Sequence, residues 1–268
     1  RFLRMGVAGA AWATSVSQLV SFVVLLVLNR RCAAIKVKLS RFTPQLHYFY
    51  KIFTGGVPSL CRQGVGSIAT VLLNLAAGNY GGASADAAIA AMGVVNRISM
   101  FANSALIGFG QGFQPVCGFN FGAKRYDRVR RGYFCAIAMT AAWGLCTTFL
   151  LIGMARPLFS IFLQEEEVMA IGVNYLRIVG LSQMFMMVEQ TSIGAFSGLG
   201  RTLYPSIVSV TFTSARIPVA VLLSSVMGLS GIWWALSISS MVKGCILFVS
   251  FVLFLYVFLE RKKDEKTV

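Results

Sequence analysis

The sequence predicts an all-α, polytopic membrane protein with seven spanning helices. Three observations carry that prediction. Apolar residues make up 57% of the 268 and charged residues only 12%, too little polar surface for a soluble domain of this size to cover itself. The apolar residues gather into seven continuous runs of spanning length. Short alternating strands of the outer-membrane barrel kind are not seen, and a continuous helix satisfies its own backbone polar groups in lipid.

The runs can be justified in order. Gly6 to Leu28 carries no charge and as a helix is about 35 Å long, against a hydrocarbon core of about 30 Å. Ile52 to Gly78, Ala87 to Gly118, Gly132 to Ala155, Val168 to Leu199, Thr202 to Met227 and Gly231 to Leu259 follow. The predicted organisation is a helix at 1–28, a linker at 29–51, a six-helix unit at 52–259 and a tail at 260–268. The first run is too long for a signal-peptide core, and no small-residue cleavage site follows it.

The net charge of +15 is distributed unevenly. Sixteen basic residues fall in the connections after the first, third and fifth runs and in the tail, among them Arg30, Arg31, Lys124, Arg125, Arg201 and Arg261. The alternate connections and the N-terminal edge hold Arg1, Arg4 and Arg156. The positive-inside rule then places the basic loops and tail in the cytoplasm and residue 1 outside, as expected for a bacterial inner membrane. With no nucleic-acid-binding module in view, the basic loops read as orienting anchors that touch anionic lipid, and Glu165 to Glu167 as a solvated acidic turn. The six cysteines lack metal-ligand spacing and His47 is the sole histidine, so neither a zinc site nor a disulfide framework is expected, and no cofactor.

The first and last runs share a pattern. GVAGAAWATSVS at Gly6 and GLSGIWWALSIS at Gly228 agree at six of twelve positions at a constant offset of 222. Six spans separate the copies, so both have the same orientation, as in parallel transporter repeats. The first run is thus expected to close an upstream lobe, whose partner is the six-helix unit.

Four stretches, GFGQGFQPVCGFNFGAKRYDRVRRG, GGVPSLCRQGVGSIATVLLNLAAGNYG, AAMGVVNRISMF and GAFSGLGRTLYPS, together resemble the second half of the multidrug and toxic compound extrusion (MATE) family. The likeness extends over all seven runs and is nearest to bacterial branches whose seventh helix opens on a Gly-x-Pro-Ser turn, here Gly56 to Ser59. It implies a two-lobed secondary transporter with a central cavity, exporting cationic or amphiphilic small molecules in exchange for Na+ or H+. By that resemblance the runs are helices six to twelve.

The residues supply their own candidates. Glu189 is the sole acid inside a run, where an ionisable group costs about 3 kcal/mol and faces a cavity or a partner. Met186 shares its helical face and suits bulky ligands. Glu189 reads either as a binding carboxylate or as a structural partner of Lys243 or Arg216, the two cations nearest mid-span. Arg97 is a third basic candidate, whereas Arg62 and Arg177 read as snorkelling to the headgroups. Gln63, Asn74, Asn96, Gln183 and Gln190 need neighbours, water or substrate for their amides. Five in-span cations against one acid argue against a simply negative cavity and leave amphiphiles, or substrates with an anionic group, open.

Two other functions fit parts of this pattern. Basic residues facing the cavity would favour a lipid-linked oligosaccharide flippase of related architecture, and a carboxylate facing it would favour cation export. Seven helices with Lys243 in the last also fit a receptor or retinal protein, but no acid lies within that run to act as counter-ion, and the repeat has no place there. No grouping of nucleophile, base and orienter suggests an enzyme.

Overall fold

The computed structural model describes residues 6–32, 45–80, 82–163 and 165–267. The helices are α1 (Gly6–Cys32), α2 (Leu46–Tyr80), α3 (Ala85–Gly122), α4 (Tyr126–Gly153), the short α5 (Ala155–Ser160), α6 (Glu166–Gly198), α7 (Leu203–Met227) and α8 (Leu229–Thr267), with a 3₁₀ turn at Gly82–Ser84. Among the described residues, all of these except α5 and the turn are long and apolar enough to cross a membrane. The seven spans and the all-α class are therefore as the sequence predicts. The chain divides into two compact units, Arg1–Lys51 and Ile52–Val268. In the first, α1 continues to Cys32, and the middle of the predicted linker, 33–44, lies outside the described residues.

In the second unit α6 is the central helix, buried along most of its length. Glycine lets its neighbours approach. A Cβ at Gly118 of α3 would stand 2.7 Å from the Gly198 carbonyl oxygen, one at Gly194 of α6 would stand 2.9 Å from that of Gly110, and one at Gly198 would overlap that of Gln114. Backbone thus lies against backbone along this seam, the small-residue contact by which membrane helices pack without a hydrophobic drive. Gly144 of α4 and Gly244 of α8 face Met184 and Phe185 of α6 in the same way.

Two apolar clusters sit at different depths. One joins Val95, Leu151, Phe159, Leu176, Ile232 and Trp233. The other joins Phe113, Tyr133, Phe196 and Phe251. Between them the same helices turn polar, through Thr140 on α4, Gln183 to Ser192 on α6 and Ser237 to Lys243 on α8. Bonds across helices tie this layer: Thr191 Oγ1 to Thr140 Oγ1 at 3.1 Å, Gln183 Nε2 to Asn103 Oδ1 at 2.6 Å, and Ser237 Oγ to the Ile178 carbonyl at 3.0 Å. In lipid each such bond contributes about 0.6 kcal/mol.

The turns that follow α3 and α6 are alike. Arg125 N–H donates to the Asn120 carbonyl and Lys124 N–H to that of Phe121. Arg201 and Gly200 repeat the pattern onto Phe196 and Ser197. Each is a Schellman-type ending that needs one left-handed residue. Gly200 supplies it at φ 72°, and Lys124 supplies it at φ 57°. α3 continues through Asn120 and Gly122 and turns on a lysine.

Candidate functional site

One face of α2 defines the site. Gly55, Ser59, Arg62, Gly66 and Thr70 recur at helical spacing, and all of them line cavities. Ala69, Leu73 and Ala77 continue the same helical face and are buried, so this face of α2 lines the cavities along its first part and packs into the lobe along its last.

The larger cavity, about 330 Å³, lies at the depth of the polar layer, between α2, α3, α6, α7 and α8. Its charged lining is Arg62, Arg216, Lys243 and Glu189. Lys243 Nζ donates to Glu189 Oε1 at 3.0 Å, and both side chains are buried. Arg216 Nη2 makes a long contact of 3.4 Å with Ser240 Oγ. Among the described residues, Arg216 Nε and the Ser99 and Ser209 hydroxyls are buried without a hydrogen-bond partner, and these three residues also line the cavity. The result is three cations, one carboxylate already engaged, and several idle polar groups.

A second cavity of about 250 Å³ is lined by the amides of Gln111, Gln114 and Gln190 and by the hydroxyls of Ser59, Ser197 and Thr202. Arg62 and Gln190 line both cavities. Their shared boundary is one guanidinium and one amide.

The candidates chosen from sequence divide into three groups. Asn96, Met186, Glu189, Gln190, Arg216 and Lys243 converge on the larger cavity. Gln183 is buried and bonded to Asn103, and Asn74 keeps a buried, unpartnered Oδ1, so both lie in the interior of the lobe and outside the cavity lining. Gln63 and Arg97 are exposed and line neither cavity.

A family model described as MatE matches residues 58–222. The chain belongs to the MatE family. It is 20% identical over 253 residues to the multidrug export protein MepA of Staphylococcus haemolyticus, covering 94% of this chain and 54% of that protein. It is 25% identical over 243 residues to the probable multidrug resistance protein YoeA of Bacillus subtilis, covering 87% and 51%. The chain therefore spans about half the length of the relatives it matches. A solved structure, described as the outward-facing conformation of a multidrug resistance MATE family transporter of the MOP superfamily, superposes with a TM-score of 0.83 over 97% of this chain and 58% of that one, at 21% identity. MATE proteins are transporters and not enzymes.

For a MatE chain the residue that sequence reasoning undervalues is Arg62. Taken alone it looks like a snorkelling cation. The signal that places it in the cavity is its neighbourhood, a polar and small-residue stripe of spacing three and four along an otherwise apolar helix. Serines such as Ser99 and Ser209 give no such signal, because hydroxyls are common in spanning helices.

Proposed function

We propose that this chain supplies one lobe of a secondary efflux transporter that exports amphiphilic and cationic drugs in exchange for Na+ or H+. The proposed setting is a bacterial inner membrane, with the basic turns and the tail on the cytoplasmic side. The observation that carries this reading is the charged cavity at mid-depth in a MatE lobe. Ionisable groups in a hydrocarbon-bounded lobe pair with one another or meet water, ions or substrate, and of these four only Lys243 and Glu189 are paired among the described residues.

The mechanism is alternating access, with sites open in turn to the two sides of the membrane. Glu189 is the single in-span carboxylate through which the lobe can bind a coupling cation. A Na+ or H+ taken up there competes with Lys243 for the same carboxylate charge, so ion binding alters the charge that the substrate meets. Pro58, Pro115 and Pro218, each inside a helix, are the points at which a missing backbone bond eases bending. The partners in this scheme are small-molecule substrates, membrane lipid and the other lobe.

A second reading, a flippase for lipid-linked oligosaccharides, is favoured by the three basic residues that line the cavity. Dye efflux from vesicles containing the full-length protein, driven in turn by a Na+ gradient and a pH gradient, tests the first reading. Efflux that follows one gradient supports export, and loss of coupling in Glu189→Gln places Glu189 in the mechanism. No efflux under either gradient, with lipid-linked oligosaccharide translocated, would replace export by the flippase.

A further inference from the structure

We infer that the larger cavity binds the anionic group of an amphiphile, a carboxylate, sulfonate or phosphate, held by Arg62 and Arg216. The inference rests on the reading of this cavity as the substrate site and names the chemistry of what it takes. Among the described residues Glu189 is the only acid in the lining, and Lys243 already engages it. That leaves the guanidiniums of Arg62 and Arg216 without a carboxylate partner among the described residues. An uncompensated cation in a lobe bounded by hydrocarbon is costly unless an anion joins it.

The donors are suited to an oxyanion. A guanidinium presents N–H groups in a planar fork that matches carboxylate and phosphate oxygens. Among the described residues, Arg216 Nε and the Ser99 and Ser209 hydroxyls have no hydrogen-bond partner and are buried in residues of the cavity wall, so the cavity has unengaged donors in its wall. Its volume of about 330 Å³ falls at the lower end of small-molecule sites and admits a charged head with part of an apolar body. Arg62 also lines the second cavity, whose amide and hydroxyl lining offers further donors. An anion can therefore pass between the cavities without leaving Arg62.

Glu189 acts in this scheme as a resident counter-anion. It occupies Lys243, and its removal raises the positive charge facing the ligand. An anion site and a cation site therefore respond to Glu189→Gln with opposite signs.

The test is equilibrium binding to the full-length protein in a non-ionic detergent, with two dansyl probes of equal alkyl length, one ending in a carboxylate and one in an ammonium. The carboxylate probe is expected to bind about tenfold more tightly, as one or two uncompensated charges within several ångströms produce in a protein-like dielectric. Arg62→Gln is expected to weaken that probe about tenfold and Glu189→Gln to tighten it about tenfold. Because Arg62 has no ion-pair partner to orphan among the described residues, its variant gives a readout even if Glu189→Gln fails to fold. Tighter binding of the ammonium probe, or a carboxylate probe indifferent to Arg62→Gln, overturns the inference. Repeating the titration in phosphatidylcholine nanodiscs with and without phosphatidylglycerol separates the sources: competition by phosphatidylglycerol that needs Arg62 assigns the site to a lipid phosphate, and its absence to a soluble anion. Vesicle efflux stands apart. A carboxylate probe that binds with this pattern but never moves removes the export reading alone, whereas driven efflux of the ammonium probe without carboxylate binding removes the anion site alone.

Discussion

Lys243 on α8 and Glu189 on α6 meet at 3.0 Å inside the polar layer that separates the two apolar clusters of the lobe. Each is the other's closest charge compensation. Removing either partner strands a buried charge, so Glu189→Gln or Lys243→Met alone is expected to cost about 3 kcal/mol of stability. The double variant should cost less than the two singles together, by about 1 kcal/mol or more. Thermal unfolding of the four proteins in detergent checks this, and strict additivity would show that the pair is not coupled.

The glycine seam between α3 and α6 makes a prediction graded by geometry. Gly198→Ala and Gly194→Ala place a methyl against the carbonyls of Gln114 and Gly110 and should each cost about 2 kcal/mol by forcing the backbones apart. Gly112 lies on α3 between Gly110 and Gln114, but its added Cβ would meet open space. Its alanine variant should gain up to about 1 kcal/mol from helix propensity. Unfolding midpoints of the three variants should straddle the parent.

The paired helix endings predict opposite responses to the same residue type. Lys124 holds φ 57° without the freedom of glycine, so Lys124→Gly is expected to stabilise by about 0.5 kcal/mol, and Gly200→Ala, at φ 72°, to destabilise by about 1 kcal/mol. The same melts would show it, and a neutral Gly200→Ala would mean that the turn relaxes.

Tyr133 and Ser192 allow a smaller test. Ser192 Oγ donates to the Val188 carbonyl, so its single proton is committed and the Tyr133 hydroxyl is the donor in their 2.8 Å bond. Tyr133→Phe therefore leaves Ser192 satisfied as a donor and should cost only about 0.6 kcal/mol. A loss of several kcal/mol would mean that the ring's tilted contact with Phe251 had also been disturbed.

Element types were legible in the sequence because lipid imposes one rule, that apolar runs of spanning length become helices. Glu189, Lys243, Arg216, Asn96 and Gln190 were legible as candidates because charge or amide in such a run requires a reason, and Met186 because it shares the helical face of Glu189. Which cation met Glu189 was not, since Lys243 and Arg216 lie at comparable depth and the choice depends on how α7 and α8 pack. Arg97 and Gln63 show the converse: polarity in a run does not reveal the face on which it stands. The glycines at the ends of α3 and α6 carry no side chain that could name a partner. Only the fold shows that Gly110 and Gly118 answer Gly194 and Gly198.

The clasp on α6 by glycines of α3, α4 and α8 settles where the lobe has give. Where backbones already touch there is no slack to take up, so the inner wall of the cavity behaves as a fixed anvil. The opposite wall is α2, with Pro58 in its first half and a bare, polar stripe toward the opening. A change in the bore that spares the glycine contacts, including that of Gly231 on α8 with Leu223 on α7, is therefore a movement of that jaw, and Arg62 travels with it.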